Sequence, residues 1–146
     1  MVIFCSGIGG IGLSAYAAHM KARGHDVSGS DKNDSALLDD LRSQGIAIAL
    51  KQDGSAVPED TELLVYSEAV PEKSPERALA KKKGIRQINY FQAVGELTQG
   101  TNVIAICGTH GKSSTTAIAA RLLIESGKDP NVIVGTKLKE LNGRNW

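Results

Sequence analysis

Aromatic side chains are scarce: six rings (two Phe, three Tyr, one Trp) make up 4% of 146 residues. The apolar 41% is therefore mostly Ala, Val, Ile and Leu, the material of an α/β core. Charge of one sign is also missing. The formal net charge is +1, which excludes a nucleic-acid or membrane surface built on bulk electrostatics. Lys81, Lys82 and Lys83 read as a solvated helix end. Cys5 and Cys107 are the two cysteines, without C-x-x-C spacing, and each ends an apolar run. Buried free thiols in a reducing cytoplasm are expected. No apolar run reaches the roughly 20 residues of a membrane span. The start, MVIFCSGIGG, has no basic stretch before its glycines, so a signal peptide is not expected and a cytoplasmic location is. No His/Cys/Asp/Glu spacing suggests a metal cluster, and no Ser-His-Asp pattern appears. His19 and His25 read as surface or packing residues.

Glycine is abundant, 16 residues, and it punctuates the chain. A strand at residues 2–5 runs into GIGGIG, residues 7–12, and then into a helix over 11–22 that Gly24 stops. A second strand spans 26–29 and ends at Ser30 and Asp31. This is one β-α-β unit, and a right-handed crossover makes its strands parallel. Gly7, Gly9 and Gly12 match G-x-G-x-x-G in its proper context, after a strand and opening a helix. A diphosphate can approach such a turn over Gly7, Ile8, Gly9, Gly10, Ile11 and Gly12. NAD, FAD and UDP-sugars all carry one. Asp31 stands at the spacing of a ribose-binding acid, but it can equally bind its own turn, SDKND.

Further strands are expected at 46–50, 63–66 and 85–88, with helices at about 35–43, 75–83 and 90–97. Ser35 or Asp34 can cap the first of these, and Pro75 suits the first turn of the second. Ser67 follows a strand end, where ligands bind in open α/β sheets, though turn chemistry explains it as well. The polar TQGTN at 98–102 is the linker candidate, dividing the chain into 1–99 and 100–146.

Beyond the linker the pattern restarts. A strand at 103–107, the loop ICGTHGKSSTT at 106–116, a helix over 113–125 and a strand at 132–134 make a second β-α-β unit. Gly108, Thr109, His110, Gly111, Lys112, Ser113 and Ser114 form a phosphate-binding loop. Small glycines admit phosphate oxygens to backbone N–H groups, and the helix start adds donors and a favourable dipole. Lys112 can reach a β/γ-phosphate, and the Ser113 hydroxyl can bind Mg²⁺. His110 either touches a phosphate or faces solvent. The strict P-loop has glycine where Ile106 stands, so this turn is tighter. Two strands and one helix do not cover both faces of a sheet, so a fragment of a longer protein is expected, with an exposed edge in its second unit.

Four stretches together resemble the Mur ligases: GIGGIGLSAYA followed by GSD, VYSEAVPEKSPE, ICGTHGKSSTT and DPNVIVGTKLKELNGRNW. Within that family the resemblance points to the branch joining L-alanine to UDP-N-acetylmuramate. It implies a Rossmann-like parallel sheet at 1–99 that binds the UDP-sugar through residues 7–12, Asp31 and Ser67. It also implies the first β-α-β unit of a P-loop ATPase domain at 100–146. ATP and Mg²⁺ are the implied cofactors, with Lys112 as the catalytic residue that stabilises the transferred phosphoryl group and Ser113 on the metal. The implied reaction passes the γ-phosphate to the muramate carboxylate, and the L-alanine amine then attacks. The 146 residues alone are not expected to turn over. The alanine branch often has Gly-His where this chain has Lys51 and Gln52, which puts uridine recognition in question. A ligase of recycled tripeptide, an NAD-binding module with a vestigial P-loop, and a P-loop kinase are the alternatives.

Overall fold

The computed structural model describes residues 1–136. The end of the DPNVIVGTKLKELNGRNW stretch, residues 137–146, lies outside the described residues. The chain divides into two compact units, Met1–Leu97 and Thr98–Trp146.

In the first unit, β1 (Val2–Ser6), β2 (Asp26–Ser30), β3 (Ala47–Ala49), β4 (Leu63–Tyr66) and β5 (Arg86–Asn89) form one sheet in the order β3-β2-β1-β4-β5. All four pairings are parallel. The chain winds outward from β1 through β2 to β3, then returns to the other side of β1 for β4 and β5. The adjacent ends of β1 and β4 are thus a topological switch point, the place where open parallel sheets leave a crevice. Helix α1 is Ile11–Ala22, α2 Ala36–Ser43, α3 Pro75–Lys83 and α4 Tyr90–Leu97.

Alternation along the strands sorts the core into two faces. Phe4, Ser28 and Leu64 are register partners on one face, as are Ser6, Ser30 and Tyr66. There Phe4 and Leu64 pack with Ala80 of α3 and with Val57, from the helix-free connection between β3 and β4. Ile3, Cys5, Val27, Leu63 and Val65 belong to the opposite face and are all buried. Helix α1 contacts β2, α2 and α4. Every residue of α1 from Leu13 to Met20 is buried, so this helix is enclosed rather than amphipathic. His19 is therefore a packing residue, and burial, then the charge of Arg23, holds its pKa below the ordinary value.

Local signals explain the helix ends. The Ser35 Oγ accepts from the Leu38 N–H at 3.4 Å and caps α2. Pro75 opens α3, and Gly84 closes it in the left-handed region at φ 69°. The third strand is shorter than expected: Ile46 is buried but lies ahead of the β2–β3 ladder.

The second unit contributes one helix among the described residues, α5 (Lys112–Glu125). The strands expected at 103–107 and 132–134 do not form. A parallel strand exists only through its ladder partner, and the described residues of this unit provide none. Val103 and Ile104 are exposed. Cys107 is exposed as well, against the expectation of a buried thiol, whereas Cys5 is buried and its pKa is pushed up to about 12 by desolvation.

Candidate nucleotide-binding site

The glycine turn leaves β1 at the switch point. Gly7 takes φ +79°, and a Cβ there would lie 3.0 Å from both Ser67 Cβ and Val70 Cγ2. The positive φ favours glycine, and the close side chains leave little room for a Cβ. The N–H groups of Gly7 and Ile8 donate to the Ser30 carbonyl at 2.8 and 2.9 Å, and the Gly10 N–H donates to the Gly7 carbonyl at 3.2 Å. Gly10 is the N-cap of α1, and no side chain caps it. The first helical turn, from Ile11 and Gly12 onward, is therefore the part of the turn best placed to meet an anion.

Asp31 stands beside this turn. Its Oδ2 accepts from the Gly9 N–H at 2.8 Å and its Oδ1 from the Asn33 N–H at 3.2 Å. The carboxylate thus binds its own turn and the glycine loop together. Ser67 stands at the end of β4, where its N–H extends the ladder to the Ser6 carbonyl at 2.9 Å. Its Oγ accepts from the Ala69 N–H at 3.4 Å, which is turn chemistry at the switch point. The structure thus brings residues 7–12, Asp31 and Ser67 into one neighbourhood.

Beneath the turn lies a polar cluster that the sequence patterns did not single out. Glu76, at the start of α3, is fully buried. Ser6 donates a very short hydrogen bond to its Oε2, while Oε1 has no partner. Burial raises the pKa of Glu76, and Asp53 and Asp31 push the same way against the hydroxyls of Ser30 and Ser6. Gln52 Nε2 donates to Ser30 Oγ at 3.4 Å and joins the same cluster. The Arg77 guanidinium lies 3.7 Å from the Tyr66 ring centroid and donates to the Val70 carbonyl at 3.0 Å. One sequence signal could have exposed the cluster. Ser6, Ser28 and Ser30 alternate onto one face of strands that are otherwise largely apolar.

In the second unit, Gly108 (φ 151°) and Gly111 (φ 77°) bracket the lysine loop, and Gly111 is the N-cap of α5 without a side-chain cap. Lys112 Nζ donates to the carbonyls of Gly108 at 2.6 Å and Thr109 at 3.3 Å. The ammonium therefore lies against the loop's own backbone. His110 and Ser114 are exposed, and Ser113, one residue into the helix, is half-buried. Uncapped helix amides, a central ammonium and an adjacent hydroxyl suit a Mg²⁺-bound polyphosphate. Among the described residues no group of three or more His, Cys, Asp or Glu side chains could hold a metal by itself. A metal here would depend on ligand oxygens as well as Ser113.

The profile of the Mur ligase family's catalytic domain matches residues 3–101. The chain belongs to the Mur ligase family. The matched stretch holds the glycine turn and ends before the Lys112 loop. A UDP-N-acetylmuramate–L-alanine ligase of Symbiobacterium thermophilum is 38% identical over 94% of this chain and 28% of its own length. The enzyme of that name from Deinococcus radiodurans is 39% identical over 94% of this chain and 29% of its own. The chain thus spans under a third of the length of these curated relatives. Among solved Mur ligases, the UDP-N-acetylmuramate–alanine ligase of Thermotoga maritima superposes with a TM-score of 0.93 at 31% identity, over 99% of this chain and 34% of that one. A murein peptide ligase from Psychrobacter arcticus superposes at 0.83 and 28% identity, over 97% of this chain and 31% of that one. The Rossmann-like fold expected for the first unit is the fold of this family member.

Proposed function

We propose that this chain is the nucleotide-recognising part of an ATP-driven ligase joining L-alanine to UDP-N-acetylmuramate. The observation that carries the proposal is the glycine turn at the β1/β4 switch point of a Mur ligase sheet. The relatives' shared name supports the choice of substrates. In this reading Gly7, Ile8, Gly9, Gly10, Ile11 and Gly12 receive the diphosphate of the UDP-sugar. Asp31 and Ser67 hold the turn's two flanks. Asp31 is already engaged by the amides of Gly9 and Asn33, which speaks for this role over the ribose-binding role of an NAD site. Residues 1–99 form this UDP-sugar domain, and residues 100–146 begin the ATP-binding one. There Gly108, Thr109, His110, Gly111 and Ser114 would surround the polyphosphate, and the Ser113 hydroxyl would bind Mg²⁺. Bound ATP supplies the phosphoryl group that activates the muramate carboxylate. Lys112 exchanges its hold on the loop carbonyls for phosphate oxygens and offsets the charge that develops there. Free thiols and nucleotide substrates agree with a cytoplasmic location. No described helix is long and apolar enough to cross a membrane.

A thermal-shift titration of the 146-residue chain with UDP-N-acetylmuramate and, separately, NAD tests the first site. Stabilisation of about 2.7 kcal/mol is expected at a hundredfold excess over Kd, from UDP-N-acetylmuramate alone. A shift with NAD and none with the UDP-sugar would overturn the assignment. Lys112→Ala is expected to abolish ATP–Mg²⁺ binding and to leave the UDP-sugar shift in place.

A further inference from the structure

The bonds of the polar cluster under the glycine turn lead directly to that turn. Ser6 closes β1 and Ser30 closes β2, and the two are register partners on the face that α3 covers. Ser6 donates to the carboxyl of Glu76, and Ser30, its register partner on the neighbouring strand, accepts through its Oγ from Gln52. A side chain of α3 therefore holds the end of β1. The backbone carbonyl of that same Ser30 accepts the N–H groups of Gly7 and Ile8. Ser6 is the residue before Gly7, and its own carbonyl holds the Ser67 N–H. The strand end that leads into the turn thus rests on a hydroxyl that Glu76 grips. A hydrophobic residue would fill this place in the core without the cost of burying a carboxyl.

We propose that Glu76 is a positioning residue, which clamps the end of β1 through Ser6 and so holds the Gly7–Gly12 turn in its ligand-ready shape. The inference deepens the proposed function, because it rests on reading that turn as the diphosphate site.

The charge state of the clamp follows from its surroundings. Asp31, after β2, and Asp53, in the connection after β3, both place negative charge toward it. Arg77, next on α3, is committed to the Tyr66 ring and the Val70 carbonyl. Oε1 has no hydrogen-bond partner, so a proton there removes a buried, unpaired charge. A carboxyl whose folded pKa is raised above its ordinary 4.5 contributes fully below that ordinary value. Its contribution is lost as pH climbs through the raised value.

The test is amide hydrogen exchange of the 146-residue chain, comparing Gly7 and Ile8 with core amides such as Val65, alongside calorimetric titration with UDP-N-acetylmuramate. In Glu76→Ala, both turn protection and affinity are expected to fall about tenfold, as for the loss of one buried hydrogen bond, with core amides unchanged. Glu76→Gln keeps the neutral shape, so both are expected to hold. The wild-type loss of turn protection at rising pH, corrected for intrinsic exchange, should vanish in that variant. If Glu76→Ala does not fold, Ser6→Ala removes the gripped hydroxyl, keeps the carbonyl, and should show the same selective loss. Full turn protection in the folded Ala variant, uniform loss across the unit, or an unchanged pH profile in Glu76→Gln would each overturn the clamp. Selective loss of protection in a chain that binds no UDP-N-acetylmuramate would uphold the clamp and remove the proposed ligand.

Discussion

Gly12 lies against the ring of Tyr90. A Cβ built on it would sit 2.6 Å from Tyr90 Cζ and 2.8 Å from the hydroxyl oxygen. The third glycine of the fingerprint therefore serves packing against α4 as well as access for a ligand. Gly12→Ala is expected to destabilise the first unit by about 1–3 kcal/mol through overpacking. In a Tyr90→Ala background most of that cost should disappear, as a urea-denaturation double-mutant cycle will show. Equal costs in both backgrounds would remove Tyr90 as the cause. Single residues were unevenly legible in the sequence. The glycines were visible because backbone conformation is local. Asp31 carried two readings, ribose partner or turn binder, and its bonds to Gly9 and Asn33 favour the second. Glu76 was hidden, because an acid in the first turn of a helix already has a reason to be there. It is buried against Ser6, far away in the chain. Cys5 and Cys107 look alike in sequence, and only one is buried.

The helices and strands of the first unit follow their punctuation closely. The expected bounds of α1, β4, α3 and α4 agree with the structure. Their stability comes from the sheet faces. Phe4 has no exposed surface and joins Leu64, Val57 and Ala80 in one cluster. Phe4→Ala is expected to cost about 3–5 kcal/mol, the usual range for emptying such a site. Chemical denaturation measures it, and a cost below about 1 kcal/mol would mean that the cluster collapses around the gap. The expected strands at 103–107 and 132–134 show the limit of pattern reading. An apolar β-branched run states a preference for extended backbone. A strand needs a partner, and no partner is encoded in the run itself.

The two units differ in how completely they bury their apolar side chains. The first packs α3 and the β3–β4 connection on one sheet face and α1 on the other. The second leaves Val103, Ile104, Ile118, Leu122 and Ile124 exposed. Ile118 and Leu122 lie one turn apart on α5, on a single face. Exposed apolar surface of this kind favours self-association. The doubly substituted Ile118→Lys, Leu122→Glu chain is expected to associate less in sedimentation velocity. Its first unit should unfold within about 0.5 kcal/mol of the wild type. Unchanged association, or a shifted first transition, would contradict that division of labour.

The first unit's element types and order, the glycine turn and the family resemblance could all be taken from the chain as written. Each rests on neighbouring residues: on periodicity, capping and the conformations open to glycine. The strand order, the β1/β4 crevice, the burial of Glu76 and the absence of strands among the described residues around α5 could not. They depend on which segments meet across the sheet, and burial and ladder pairing are properties of those meetings.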